Sequence, residues 1–366
     1  MSKRILILTA GYGEGHNAAA RGIRDGLTAV AGNAAAVEVH DLFAETYGFV
    51  NDWIRKGYLG LINRAPRAWG RFYRWLDGRE EFASNMRWLF QVRSRLSQLL
   101  VRFQPTVVVS VFPAYPHLLD TILSDATPAF RRVVCVTDSI TVNAIWFRCA
   151  SDLFLLPNEQ TAAVLAEAGV PDDKVRVSGF PVTPKFAELG ELRKSPAPRD
   201  GYRFLYMINA GAVAAPEIIR GLAQIPDSRL TVSVGRDERL RKTVEEVRAG
   251  VGRQFEIVGW TDQMPRLMLE SHLLIGKAGG ATVQETIAAK CPMIINQVVP
   301  GQEEGNARLI EETRSGLVAT TPAAISAAVT QAFVDDARLW REWSKNISVL
   351  SRPKASLEIA ELLLRL

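Results

Sequence analysis

Gly276-Lys277-Ala278-Gly279-Gly280-Ala281-Thr282 is the stretch whose reading decides the fold of this chain. The apolar run Ser271 to Ile275 before it reads as a short buried strand, and Ala281 to Ala289 after it reads as a helix. Strand, glycine turn and helix in that order put free backbone N–H groups at a helix N-terminus, where a phosphate is favoured. Glu285 lies one turn into the helix, and its Cβ tilts back toward that N-terminus. A carboxylate so placed repels phosphate but accepts hydrogen bonds from the vicinal hydroxyls of a ribose. A second motif, Pro300-Gly301-Gln302-Glu303-Glu304-Gly305-Asn306, follows a strand-like run from Pro292 to Gln297. The pair implies a nucleoside-diphosphate site that needs no metal. A glycine turn alone would serve equally for close helix packing.

Outward from this turn, strand and helix alternate along the whole chain, which argues for parallel sheets. In the first half, strands are predicted at Arg4–Leu8, Ala36–His40, Thr106–Val111, Arg132–Thr137, Leu153–Leu156 and Val175–Ser178. Helices fall between them, including Ala18–Val30 and Thr161–Gly169. The second half restarts with Arg203–Ile208, then Arg229–Val234, Phe255–Val258, Leu273–Ile275, Met293–Asn296 and Leu317–Val318. Between the halves, Pro181, Pro184, Pro196 and Pro198 stand among mixed charges with no apolar period, the pattern of a linker. The expected division is an N-terminal Rossmann-like domain over 1–182, a linker over 183–200, a second Rossmann-like domain over 201–338, and a C-terminal helix over 339–366 interrupted near Pro353.

At 366 residues the chain has room for two domains, and 48% hydrophobic with 23% charged residues is the composition of a globular protein with real cores. Cys135, Cys149 and Cys291 lack metal-ligand spacing and read as buried thiols of a reducing compartment. The first strand begins at once, with an apolar stretch too short for a signal peptide. No apolar run approaches the about 18 residues of a spanning helix. A cytoplasmic protein is expected, with room for peripheral contact with a membrane.

The first strand runs into Leu8-Thr9-Ala10-Gly11-Tyr12-Gly13-Glu14-Gly15-His16-Asn17-Ala18. This is not a dinucleotide fingerprint, because the third glycine would fall at His16. It does hold a histidine at the mouth of a helix, where the helix N-terminus lowers the imidazole pKa and favours a neutral base. A loop histidine is also commonly a packing residue. Asp138 follows the strand that ends at Thr137, at the carboxyl edge of a sheet where open α/β proteins place ligands. An N-cap for the next helix is the other reading of Asp138.

These motifs resemble those of a glycosyltransferase group containing plant monogalactosyldiacylglycerol synthases and bacterial diacylglycerol glucosyltransferases. The peptidoglycan-precursor GlcNAc transferase is a more distant likeness. The resemblance rests on Gly11–Asn17, Thr137–Phe147 and Gly276–Asn306. It implies a GT-B fold, with two Rossmann-like domains facing across a cleft and a C-terminal helix crossing back to the first. It implies a UDP-sugar donor and no cofactor or metal, with Gly15, Asn209, Lys277, Gly279, Gly280, Ala281, Thr282 and Asn306 around the donor. The backbone near Trp260 would meet the uracil, Glu285 the ribose, and Gln302 and Glu303 the sugar hydroxyls. His16 or else Asp138 would be the base of an inverting transfer. Where the family commonly has a histidine this chain has Asn143, which leaves His16 as the strong nitrogen base.

Residues 52–102 hold eleven Arg or Lys against four acids, while the whole chain carries only +5, so the basic character is local. Trp53, Trp69, Trp75 and Trp88 lie here beside Arg71 and Arg74. Aromatic residues mixed with arginine suit a lipid headgroup region. Two amphipathic helices packed on the core would give the same composition. Nucleic acid is not expected, since no recognised nucleic-acid module surrounds the patch. The expected activity is transfer of a hexose to a membrane lipid such as diacylglycerol, at an anionic surface on the inner face of the cell membrane. The alternatives are a UDP-GlcNAc transferase acting on a lipid-linked peptidoglycan precursor, a UDP-GlcNAc 2-epimerase with no membrane role, and a non-catalytic nucleotide-binding module.

Overall fold

The structure is a computed structural model that describes residues 3–48, 89–123, 127–190, 192, 201–208, 213–301 and 303–366. The basic aromatic patch (Trp53, Trp69, Arg71, Arg74, Trp75, Trp88), much of the 183–200 segment, Asn209 and Gln302 lie outside the described residues.

Among the described residues, twelve strands form two six-stranded parallel sheets, so the expectation of two Rossmann-like units holds. The first sheet contains β1 (Lys3–Leu8), β2 (Ala35–His40), β3 (Val107–Ser110), β4 (Arg131–Cys135), β5 (Leu153–Leu156) and β6 (Val175–Val177). The second contains β7 (Tyr202–Met207), β8 (Ser228–Gly235), β9 (Glu256–Gly259), β10 (Leu273–Lys277), β11 (Met293–Gln297) and β12 (Gly316–Val318). Central strands such as Ile5–Leu8, Val107–Val109 and Leu273–Ile275 are fully buried. That is what helices on both faces of a parallel sheet require, and why these strands read as unbroken apolar runs.

Strand order fixes where ligands belong. The first sheet runs β2-β1-β3-β4-β5-β6, and the second runs β9-β8-β7-β10-β11-β12. The winding reverses between β1 and β3 in one and between β7 and β10 in the other. Beyond the carboxyl ends of such a strand pair the flanking connections leave in opposite directions and open a crevice. The His16 loop leaves β1, and the glycine turn leaves β10.

The chain divides into two compact units. One comprises residues 1–184, Val299–Gly305 and Lys354–Leu366; the other comprises Lys185–Val298 and Asn306–Pro353. Within the 183–200 segment, Lys185–Glu188 forms a single helical turn. The helix Pro322–Leu350 starts on a Thr321 N-cap, is broken by non-helical residues Val334 to Ala337, and ends before Pro353. The helix Ala355–Arg365 then packs on the helix Glu14–Ala31. Their contact is close at Gly26, where a Cβ would lie 2.3 Å from the Ser356 carbonyl oxygen.

Candidate active site

His16 sits in the first turn of the Glu14–Ala31 helix, which begins four residues before its predicted start at Ala18. It is only 9% exposed. Its Nδ1 lies 2.8 Å from the Val111 carbonyl oxygen, just past β3, and 3.0 Å from Thr137 Oγ1. A carbonyl only accepts, so Nδ1 carries the proton and Nε2 the lone pair. The rings of Phe112 and Trp146 stand 5.1 and 5.9 Å from the imidazole, centroid to centroid. Burial lowers the imidazole pKa to about 4, against a raising effect from the Val111 hydrogen bond. The direction agrees with the sequence reading. The cause differs: removal from water lowers it, where the sequence pointed to the helix N-terminus.

The loop before His16 is pinned from beneath. Gly11 N–H donates to Asp41 Oδ2 at 2.8 Å, and the other oxygen of Asp41 caps the helix Leu42–Tyr47 through Ala44 N–H. The buried Tyr115 hydroxyl donates to Thr9 O at 2.7 Å and accepts from Leu42 N–H at 3.0 Å. Gly13, with φ +140 and nothing within 4 Å of its missing Cβ, makes the turn that a side chain would strain.

Asp138 is half-buried, and the Trp146 indole Nε1–H donates to its Oδ2 at 2.8 Å. Burial raises its pKa to about 6, and the indole hydrogen bond pulls the other way. The N-cap alternative belongs to Asn143, whose Oδ1 accepts from Ile145 N–H at 3.0 Å and starts the short turn Ala144–Trp146. A polar side chain serves there as a cap. Thr137, Asp138, Trp146 and His16 therefore form one cluster at the β1, β3 and β4 ends.

In the second unit, the helix Gly280–Ala288 follows β10 with Gly279 as N-cap, and no side chain caps it. The first intrahelical bond is Val283 N–H to Gly279 O, so the N–H groups of Gly280, Ala281 and Thr282 precede it. Glu285 and Lys277 are half-buried, and both are engaged with other groups. Asn306 donates through Nδ2 to Ala278 O at 3.1 Å, and Ala278 N–H donates to the Gln297 carbonyl. Among the described residues, buried Asn306 Oδ1 and Gln297 Oε1 have no hydrogen-bond partner. Asn306 Oδ1, beside the glycine turn through the Asn306–Ala278 bond, suits a ligand that brings a hydroxyl or N–H donor.

Glu303 and Trp260 have these surroundings. Glu303, assigned to sugar hydroxyls, is 6% exposed and accepts Val299 N–H through Oε2 at 2.9 Å, so one oxygen closes its own loop. Trp260 is 66% exposed at the end of β9, and its ring carries the Arg236 guanidinium at 4.6 Å. Sequence reasoning passed over Val111, whose contribution is a carbonyl, and gave Thr137, Trp146 and Gln297 no role. The Trp-Phe pair downstream of Thr137-Asp138 was the available signal for Trp146. Burial pushes the Cys135 and Cys149 thiols up to about 12, which removes both as nucleophiles at neutral pH. A cavity of about 380 Å³ lined by Phe147, Cys149, Val170 and Lys174 lies at the amino ends of β5 and β6.

Residues 16–182 match the family described as monogalactosyldiacylglycerol (MGDG) synthase, and residues 213–331 match the glycosyltransferase family 28 C-terminal domain. The chain is 26% identical over 381 residues to a probable monogalactosyldiacylglycerol synthase 2, chloroplastic, of Oryza sativa subsp. japonica, with 98% of this chain and 80% of that protein covered. It is 25% identical over 378 residues to a processive diacylglycerol beta-glucosyltransferase of Bacillus subtilis (strain 168), covering 100% and 95%. Among solved structures, MurG of Acinetobacter baumannii matches with a TM-score of 0.62 at 14% identity over 100% of both chains, a likeness of fold. An MGDG-synthase region followed by a family 28 C-terminal domain, with relatives aligned over nearly the full length, makes this chain a glycosyltransferase similar to monogalactosyldiacylglycerol synthases and processive diacylglycerol glucosyltransferases.

Proposed function

We propose that this glycosyltransferase moves a hexose from a UDP-sugar to a membrane lipid, with diacylglycerol as the acceptor, and inverts the anomeric carbon. The observation that carries the reading is His16: a buried, neutral imidazole with its proton directed at Val111 O and the lone pair on its other nitrogen. The acceptor hydroxyl loses its proton to His16 Nε2, or else to the Asp138 carboxylate, as its oxygen bonds to the anomeric carbon. The bond from that carbon to the diphosphate breaks, and its electron pair leaves with UDP. Fixed N–H dipoles of Gly280, Ala281 and Thr282 stabilise the charge growing there. Glu285 takes the ribose hydroxyls. Asn306 and Gln297 supply acceptors that this structure leaves without partners.

Names of relatives support the lipid acceptor, since they specify diacylglycerol products or substrates. No helix of the described residues is long and apolar enough to cross a membrane; in this reading the enzyme meets its acceptor at the membrane surface. We assign the basic aromatic segment of the sequence to that contact. Donor binding through main-chain dipoles needs no cation, and activity should survive a chelator.

The deciding experiment incubates the enzyme with each of several UDP-hexoses and diacylglycerol vesicles, then analyses the lipid fraction by mass. A hexosyl-diacylglycerol of inverted configuration is the expected product. Conversion of UDP-GlcNAc to its 2-epimer without lipid, or UDP binding without turnover, would replace this reading.

A further inference from the structure

We infer that Gly305 is a positioning residue for Asp138, acting through the strained turn that follows the carboxylate. The inference rests on the reading of Asp138 as part of the proton-accepting cluster.

Asp138 leads into Ser139-Ile140-Thr141. Thr141 N–H donates to Ser139 O at 2.7 Å and Val142 N–H to Ile140 O at 3.0 Å, two successive three-residue turns. Ile140 is held at φ +59. A β-branched residue in the left-handed region is a true outlier, and it persists only where its surroundings leave no other choice.

Two sets of contacts impose it. On one side, Ile140 N–H donates to Thr161 Oγ1 at 3.2 Å, and Thr161 Oγ1 donates to Asn158 Oδ1 at 2.8 Å. Asn158 Nδ2 closes the ring of contacts on Ser139 Oγ at 3.3 Å. On the other side stands Gly305, from the Val299–Gly305 segment that belongs to the same compact unit. A Cβ on Gly305 would lie 1.9 Å from Ser139 O, 2.7 Å from Thr141 N and 2.5 Å from Thr141 Oγ1. Two of those atoms are backbone, so no rotamer change relieves the clash. Gly305 itself does not need left-handed backbone. Its requirement is space.

The turn has no slack between these contacts. Asp138 is its first anchored residue, and the Trp146 indole grips the carboxylate itself. A shift of the Ser139–Thr141 backbone therefore changes how Asp138 meets the indole. In a site that works by alignment, a displacement near 1 Å costs about 100-fold in rate.

The test uses the full-length enzyme with Gly305→Ala and Ile140→Gly, and measures kcat, donor KM and the pH dependence of kcat. Gly305→Ala should lower kcat about 10- to 100-fold with donor KM changed by less than about threefold, and should move the acid limb of the profile. Ile140→Gly, which lets the turn relax, should move the same limb. A folded Gly305→Ala with wild-type kcat and an unmoved limb overturns the inference. Should Gly305→Ala fail to fold, an unmoved limb in Ile140→Gly overturns it. Asp138→Asn separates the two levels. An acid limb that survives Asp138→Asn defeats the reading of Asp138 itself. A limb lost in Asp138→Asn but untouched in Gly305→Ala defeats only the role of Gly305.

Discussion

Trp146 serves both candidate bases at once: its Nε1–H donates to Asp138 Oδ2 at 2.8 Å, and its ring lies 5.9 Å from the His16 imidazole. The indole hydrogen bond favours the ionised carboxylate, while burial favours the neutral acid at a pKa of about 6. Trp146→Phe keeps a ring and removes the donor, so the Asp138 pKa rises further. A hydrogen bond to a charged group contributes about 1.5–3 kcal/mol. If Asp138 must be ionised for turnover, the acid limb of kcat in Trp146→Phe moves to higher pH. A pH–rate profile on both proteins checks this, and an unmoved limb would show that Asp138 ionisation is not required.

The position of that limb in the unmodified enzyme tells the two bases apart. A limb near pH 6 reports Asp138, and a limb near pH 4 reports His16. His16→Ala should cut turnover by about 100-fold or more while leaving UDP affinity unchanged. Near-normal turnover in that variant would remove His16 from the chemistry.

Stability should respond to the same two groups with opposite signs. The folded pKa of His16 is depressed to about 4 from 6.5, so the unfolded chain binds more protons between those values. The His16 contribution is complete above pH 6.5 and is lost as pH falls toward 4. The folded pKa of Asp138 is raised to about 6 from 3.8, so its penalty is absent below pH 3.8 and grows as pH rises through 6. Melting temperatures from pH 4 to 7 should therefore change little through this pair. Asp138→Asn should be more stable than the parent at pH 7 and equal to it near pH 4, a gain in stability where activity is lost.

Much of the frame was legible before any coordinates. Each strand read from an apolar run is present, because a strand buried on both faces must be a run of Val, Ile and Leu, as Leu273–Ile275 shows. Helix starts were read less well. The Glu14–Ala31 helix opens on Gly13, Glu14 and Gly15, which carry no apolar period to mark it. The candidate bases were visible as loop residues after strands. Their partners were not: Val111 lies 95 residues from His16 and offers only a carbonyl, which is the same in any sequence. The left-handed backbone at Ile140 had no signature either, since glycine or asparagine would have announced it and isoleucine does not.

Gly26 gives a test of the packing of the C-terminal helix. A Cβ there would lie 2.3 Å from Ser356 O and 2.7 Å from its carbonyl carbon, so the helix Ala355–Arg365 must move to admit one. Overpacking of this kind costs about 1–3 kcal/mol. Gly26→Ala should lower the melting temperature, and amide exchange should quicken in residues 355–365 before it does in β1 or β3. Uniform protection in both proteins would mean that the helix pair absorbs the methyl group.

Glu285 is the sharpest test of the donor site because its charge is wrong for a phosphate and right for a diol. It lies one turn into Gly280–Ala288, half-buried, on the helix whose uncapped N-terminus would face the diphosphate. Glu285→Ala removes both acceptors and also a negative charge near that N-terminus. If the carboxylate binds ribose, UDP affinity falls about tenfold, as expected for loss of charge-assisted hydrogen bonds worth about 1.5 kcal/mol. If its main effect were repulsion of the diphosphate, the same variant would bind UDP more tightly. Calorimetry with UDP and with a deoxyribose analogue distinguishes the cases. The parent should discriminate between the two nucleotides, and Glu285→Ala should bind them alike. Discrimination that persists in the variant would place the ribose on another residue.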